Sequence, residues 1–300
     1  MERVSAVDAC AAEPVLGVLY ESSEWSDFKL ATELCARGVP VRLIDMERPD
    51  AVEATLACAM LASRVFASAL ARGHARSHEH MAQVVSEVEA RGIVLVNPAR
   101  AHAFEVSKRA ATEALGGAGF AVPRVFACDV PARIDPEALA YPCVIKPDCG
   151  GRSACTAVLH DADEARRFLA AAPEGTVFIV EEYLAARAGF LTRIEIVAGR
   201  AAHVQKRSIA ANGLSSYHVG STYEAYEDCP RAVVDAAEAA AQLLGFELGS
   251  FDVIEAADAA YLIDANSVSN VSEDCEELLG FDLMAEHAAY LAERWRALAG

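Results

Sequence analysis

The sequence lacks the runs of lysine and arginine that would grip a phosphate backbone or an anionic membrane. Its 26 basic residues stand against 44 acidic ones, a formal charge of −18, and a field of that sign repels both kinds of surface. No stretch reaches the roughly 18 uninterrupted apolar residues of a membrane-crossing helix, and the opening MERVSAVDACAAEP has no basic segment followed by an apolar one. The nine cysteines include no C-x-x-C pair, and their odd number does not suit a disulfide framework, so reduced, buried thiols are expected. Neither G-x-x-x-x-G-K-[ST] nor G-x-G-x-x-G occurs, which disfavours a P-loop or a dinucleotide-type phosphate site. Internal repeats are also absent. These absences predict a soluble cytoplasmic protein that binds neither nucleic acid nor membrane; whether it forms a homo-oligomer the sequence leaves open.

What is present is apolar material enough for a large core: 54% of 300 residues are hydrophobic, and a chain of this length can divide into two or three lobes. VLGVLY, VPVRLID and IVLVN read as short strands. FKLATELCAR, ended by Gly38, and SHEHMAQVVSEVEARG read as helices, with an Ala-rich stretch of ambiguous type between. Such alternation implies a small parallel sheet with helices packed on it. Asn97-Pro98 signals a turn, and AFEVSKRAATEALGGAGFAVP reads as one helix stopped by Gly116 and Gly117. Beyond it come the strands in YPCVIKPD, TAVLH and VFIVEEYL, and a helix opening at Asp161 with Glu164 three residues on, in the manner of a capping box. From Leu191 the pattern turns antiparallel, because LTRIEIVAGRAAHVQKRSI is two strands joined through Ala198-Gly199-Arg200, with no room for a crossover helix. A helix, a hairpin over 251–266 and a last helix follow.

That hairpin, FDVIEAADAAYLIDAN, carries Asp252, Asp264 and Asn266 among apolar residues. Residues two apart on a strand share a face, so Asp264 and Asn266 point the same way and Asp252 can join them from the partner strand. Two carboxylates and an amide, without His or Cys, suit Mg²⁺ or Mn²⁺; acids at strand ends facing water are the ordinary alternative. Such oxygens, lying at a surface, are expected to carry little of the fold. Lys146 follows two β-branched residues in a strand that reads as buried, where an ammonium needs a phosphate or a carboxylate beside it. Gly150, Gly151 and Ser153 follow in a loop whose N–H groups could close over phosphate oxygens, or could form a simple turn. Lys108 on its helix and Glu181-Glu182 at a strand end carry no signal alone.

In order along the chain, Lys108, VIKP with its Gly loop, VEEYL, two strands with Arg193 and Arg207, then D-V-I and D-A-N resemble the ATP-grasp superfamily, and within it the RimK-type carboxylate-amine ligases. The resemblance covers nearly the whole chain, with VLYESSEWSD, RVFASALARGH and LVNPARAHAFEVSK matching the amino-terminal part. It implies an α/β (α+β) ATP-grasp fold: an amino-terminal parallel α/β domain over 1–100, a small ATP-grasp lobe with a lid over 101–185, and a large lobe with the metal site over 186–300. It implies ATP and Mg²⁺ (or Mn²⁺) as cofactors. Lys108 and Lys146 would contact ATP, Gly150 to Ser153 form the lid, Glu181, Glu182 and Leu184 surround adenine, and Asp252, Asp264 and Asn266 bind metal. Arg193 and Arg207 would serve catalysis, near the transferred phosphate and the substrate carboxylate. The implied activity is an ADP-forming ligation of an amino acid to an amine or peptide acceptor through an acylphosphate. A phosphotransferase or a non-catalytic ATP-binding module on the same fold is the alternative. Asp264 stands where Glu is common, Arg152 and Cys149 lie among the lid glycines, and DANSVSN replaces the familiar E-x-N-x-x-P-G ending. The loop with Ser215, Ser216, Tyr217 and His218 is expected on the acceptor side.

Overall fold

The computed structural model describes residues 14–215, 220–269 and 271–299. The amino-terminal third begins with β1 (Leu16–Tyr20), α1 (Trp25–Ala36), β2 (Val41–Asp45), α2 (Ala51–Leu56), β3 (Met60–Arg64), α3 (Ala75–Glu87) and β4 (Val94–Val96). Its four strands form a parallel sheet in the order β2-β1-β3-β4, as the alternation implied. The Ala-rich stretch of ambiguous type resolves into α2 and β3. Helices cover both faces of a parallel sheet because crossover connections leave no solvated side: Met81 and Val84 of α3 pack with Leu19, Ile44 and Leu61 on one face.

The expected single helix after Pro98 is two, α4 (Ala99–Glu105) and α5 (Lys108–Gly117). Ser107 breaks it, taking an extended conformation and accepting a hydrogen bond from the N–H of Ala110, an N-cap in mid-pattern. The second helix ends at Gly117, as the glycine pair implied. Next come β5 (Val125–Asp129), which the sequence did not signal, β6 (Cys143–Pro147), β7 (Ala157–Leu159), α6 (Ala162–Ala171) and β8 (Phe178–Glu182), whose strands form an antiparallel sheet in the order β5-β8-β6-β7. Asp161 caps α6 by accepting from Glu164 N at 2.8 Å, and the Glu164 carboxylate reaches back to His160 N at 2.8 Å.

The remaining elements are β9 (Phe190–Val197), β10 (Arg200–Ser208), β11 (Tyr223–Ala225), α7 (Arg231–Leu244), β12 (Leu248–Glu255), β13 (Ala260–Asn266), α8 (Glu273–Leu279) and α9 (Leu283–Ala299). The strands form a five-stranded antiparallel sheet ordered β11-β10-β9-β12-β13. Ala198 and Gly199, both left-handed at φ 54° and 71°, make the two-residue turn that joins β9 to β10. One face of this sheet is apolar: Ile194, Ile196, Phe251 and Val253 pack with Ala237, Ala241 and Leu244 of α7 and Leu115 of α5. The other face is polar and lies toward the other two sheets. The last helix, α9, packs Leu283, Met284, Ala288 and Leu291 against Leu16, Val18, Leu30 and Leu34 on the second face of the parallel sheet. Among the described residues no helix is long and apolar enough to cross a membrane. The described cysteines are free, with Cys58 and Cys143 buried but Cys35 and Cys155 exposed, so burial is not general to them. Cys10 lies outside the described residues, and the side chain of Cys275 is not described.

Asn97, read from the sequence as a turn signal, is a fastener. Its Nδ2 donates to Leu248 O at 2.8 Å and Ser267 O at 2.7 Å, and its Oδ1 accepts from Glu247 N at 2.7 Å and Leu248 N at 2.8 Å. An amide is the one side chain that can both give and take in this way at a single point. Asn97→Ala leaves main-chain groups of both strand ends without partners, and we expect it to lower stability by about 2–4 kcal/mol, read as a fall in the midpoint of thermal unfolding; an unchanged midpoint would remove this role.

Candidate active site

Where the three sheets meet, one cavity of about 540 Å³ opens. The residues singled out from the sequence for ATP, metal and catalysis line it: Lys108, Lys146, Gly150, Gly151, Ser153, Glu181, Glu182, Leu184, Arg193, Arg207, Asp252, Asp264 and Asn266. The polar face of the five-stranded sheet forms its floor. Register sets Gln205 of β10 opposite Arg193 of β9, Arg193 opposite Asp252 of β12, and Asp252 opposite Asp264 of β13. Strand pairing thus carries one row of polar side chains across four strands.

Between Asp252 and Val253 the register to β13 shifts, Asp252 facing Asp264 and Val253 facing Leu262. The extra residue is Ile263. Its bulge gives Lys146 a main-chain acceptor, Nζ to Ile263 O at 3.0 Å, and a bulge of this kind re-aims the neighbouring side chain. Beside Asn266, Gly249 adopts φ +147°, and a Cβ there would lie 2.3 Å from Asn266 O. Only glycine allows β12 and β13 to approach so closely.

The charges on the cavity floor are paired. Asp252, 6% exposed, accepts from Arg207 at 2.7 Å and Arg193 at 3.2 Å. Burial alone would raise its pKa, but the charges and hydrogen bonds of Arg207 and Arg193 outweigh burial and hold it below the usual aspartate value. Lys108 donates to Asp264 at 2.7 Å. Burial works against its charge, yet Asp264, with Glu105 and Glu181 nearby, raises its pKa. Lys146 takes the carboxylate its burial demanded from Glu181, at 2.8 Å. The expectation that the hairpin oxygens lie at a surface and carry little of the fold is therefore corrected: Asp252 is buried between two guanidinium groups, and Asp264 compensates a buried ammonium.

The two arginines differ. Arg193 uses all three nitrogens, Nε on Glu195 at 2.7 Å, Nη1 on Asp252, and Nη2 on Ser269 Oγ at 2.9 Å. Burial would lower its pKa, but Glu195 and Asp252 more than reverse that and raise it. Arg207 uses Nη2 on Asp252 and Nε on Ser215 Oγ at 3.0 Å, and Nη1 has no partner among the described residues. At the far end of the cavity the Glu181 carboxylate is turned to Lys146, while the N–H groups of Glu182 and Tyr183 donate to Arg124 O at 2.9 Å and Pro142 O at 3.3 Å.

The loop after β6 is held at its base by Asp148, which accepts from Ser107 Oγ at 2.9 Å and Arg109 N at 2.8 Å at the start of α5. The glycines do not supply its left-handed residues, as their flexibility suggested; Arg152, Ser153 and Cys155 do, at φ 60°, 55° and 49°. Gly150 is needed for space, since its Cβ would meet Pro147 Cβ at 2.9 Å. The loop crosses to the segments after β1 and β3, where Arg152 pairs with Glu24 and lies 5.6 Å from the centre of the Phe66 ring, and Cys149 Sγ donates to Ala67 O at 3.6 Å.

Sequence reasoning missed Glu105, whose carboxylate accepts from Ala67 N at 2.9 Å and from Ser267 N and Oγ at 2.7 and 2.9 Å, as well as Glu195, Gln205 and Ser269. A Glu in a helix or a Gln in a strand has no local signature. Of the expected acceptor loop, Ser215 lines the cavity; Ser216, Tyr217 and His218 lie outside the described residues, as does Asn270.

Among the described residues no cluster of three or more His, Cys, Asp or Glu could hold a metal alone. Asp252, Asp264 and Asn266 nonetheless share the cavity as an all-oxygen set, which fits a hard cation that completes its shell with water and phosphate oxygens.

No protein-family model matches the chain, and no curated protein matches it. Solved structures do. The ATP-grasp ligase PsnB complexed with minimal precursor is 21% identical with a TM-score of 0.66, the match covering 95% of this chain and 99% of that one. The RimK domain protein ATP-grasp from Sphaerobacter thermophilus DSM 20745 is 20% identical with a TM-score of 0.66, covering 92% and 98%. D-alanine–D-alanine ligase from Bacillus anthracis is 14% identical with a TM-score of 0.69, covering 96% and 100%. The chain has the ATP-grasp fold, as its motif order implied.

Proposed function

We propose that this ATP-grasp chain is an ADP-forming carboxylate-amine ligase, joining an amino acid to an amine or peptide acceptor through an acylphosphate. The observation that carries this reading is the convergence on one cavity of the residues chosen for ATP, metal and catalysis, from two of the three sheets, α5 and the loops after β6 and β8. PsnB has been solved with Mg and ADP and with a precursor peptide and AMPPNP; that chemistry is carried here as part of the proposal. So is the division into lobes over 1–100, 101–185 and 186–300, with α9 returning to the first.

In this mechanism the γ-phosphoryl group of ATP passes to a substrate carboxylate oxygen, ADP leaves, a neutral amine attacks the acyl carbon, and the C–O bond to phosphate breaks as the C–N bond forms. Lys108 and Lys146 hold the phosphates, exchanging their present carboxylate partners for phosphate oxygens. Arg207, with Nη1 uncommitted, offsets the substrate carboxylate so that anion can approach anion. Arg193, fully bonded, fixes Asp252 and through it Arg207. Glu181, Glu182 and Leu184 bound the adenine. Asp252, Asp264 and Asn266 would hold Mg²⁺ or Mn²⁺, which when bound offsets charge on the phosphate oxygens. Gly150, Gly151 and Ser153 cover the phosphates and keep water from the acylphosphate.

The test is ADP release with Mg²⁺-ATP and amino acids supplied singly and in pairs. Turnover is expected to need both a carboxylate and an amine. Undiminished release with a carboxylate alone, leaving a stable phosphorylated product, would make the protein a phosphotransferase. A second expected result concerns the loop over 149–154: its amide hydrogen exchange should slow when Mg²⁺ and a non-hydrolysable ATP analogue are added, because its N–H groups then gain anionic partners. Lys146→Ala should weaken that response by removing a charge-assisted contact of about 1.5–3 kcal/mol. Equal exchange with and without bound analogue would reduce the loop to a turn.

A further inference from the structure

Six buried side-chain polar atoms have no hydrogen-bond partner among the described residues, on Arg72, His203, Gln205, Ser250, Glu276 and His287. Of these residues, Gln205 alone lines the cavity. It is 2% exposed, faces Arg193 in register and lies two residues from Arg207 on the same face of β10. A buried amide carbonyl without a partner is costly, and at a cavity wall a bound ligand can supply the missing donor.

We propose that Gln205 is the specificity-determining residue for the attacking amine, its amide oxygen accepting a hydrogen from the nitrogen that forms the new C–N bond. This rests on the ligase reading above. The two flanking arginines are donors and suit the anionic partners of the reaction, the carboxylate and the phosphoryl group, whereas the amine needs an acceptor. The buried carboxylates of the cavity have other places in that reading: Glu181 bounds the adenine, Asp252 is engaged by both arginines, and Glu105 by Ala67 N and Ser267. A carboxylate would also favour the protonated amine, which has no lone pair with which to attack; a neutral amide binds the amine without that bias. A half-turn about χ3 exchanges the two ends of the amide within nearly the same volume, so the oxygen can be presented to the cavity without repacking.

The test uses Mg²⁺-ATP, a pool of the proteinogenic amino acids and their D-enantiomers as donors and acceptors, and hydroxylamine as a competing trap for the acylphosphate. Amide and hydroxamate products are measured by mass spectrometry. Their ratio is independent of how much enzyme is folded, which protects the result from a poorly folding variant. In Gln205→Leu, amide is expected to fall about tenfold relative to hydroxamate, the loss of one hydrogen bond to the acceptor. In Gln205→Glu, the pH profile of amide formation should move to higher pH, because the new carboxylate holds the amine protonated. A Gln205→Leu ratio within twofold of the wild type would overturn this assignment and leave the ligase reading standing. Neither product from the wild-type protein would overturn both.

Discussion

Asp252→Ala is expected to lose both turnover and about 3–5 kcal/mol of stability, because it leaves two buried guanidinium groups, Arg193 and Arg207, without the charge between them. For a protein of this size the thermal midpoint should fall by roughly 10 °C. Asp252→Asn keeps the shape and some of the hydrogen bonding, so it should lose less stability while still losing activity. Acid has a related effect. The folded-state pKa of Asp252 lies below its ordinary value. Its ionic contribution is therefore present in full above the unfolded carboxylate pKa of about 3.9 and is lost as pH falls through the lower folded value. The stability gap between wild type and Asp252→Asn should accordingly close on acidification below about pH 4. A gap that persists unchanged at pH 2 would mean that packing, not charge, holds this site. Equal stability at neutral pH would remove the central ion pair from the account.

Asp264→Asn should separate function from fold more cleanly. The asparagine oxygen can still accept from Lys108, and Glu105 and Glu181 still favour the ammonium, so the stability loss should be about 1 kcal/mol. Turnover should fall by about 10³-fold, because one charged oxygen ligand is lost where phosphoryl charge must be offset. The Mg²⁺ concentration for half-maximal ADP release should rise, and Mn²⁺ bound together with ADP, followed by electron paramagnetic resonance, should weaken in parallel. Wild-type Mn²⁺ affinity in Asp264→Asn would return the hairpin to an ordinary acidic strand pair, whatever the effect on turnover.

How much of this was legible in the sequence depends on the range of each signal. The alternation of strand and helix patterns gave the parallel sheet, and the antiparallel β9–β10 pair followed from a turn too short for a crossover. The order from Lys108 to Asn266 gave the ATP-grasp fold. The cap at Ser107 was less visible, since a serine inside a helical pattern is as often tolerated as it is a start. The bulge at Ile263 left no mark at all. It shows only in the register between β12 and β13.

By itself, then, the sequence determined the fold, the two-residue periodicity that sets Asp264 and Asn266 on one face, and the chemical type of each candidate side chain. Those signals act over a few residues and survive in any tertiary context. Only the tertiary structure decided partnership. Lys146 met Glu181, Lys108 met Asp264 from 156 residues away, Asp252 came between Arg193 and Arg207, and Gln205 was left facing the cavity with no partner. Each of these follows from the strand order β10-β9-β12-β13, from the pairing of β6 with β8, or from how the sheets and α5 meet. A charge is satisfied by whatever the register brings within about 3 Å of it, and no local pattern encodes that register.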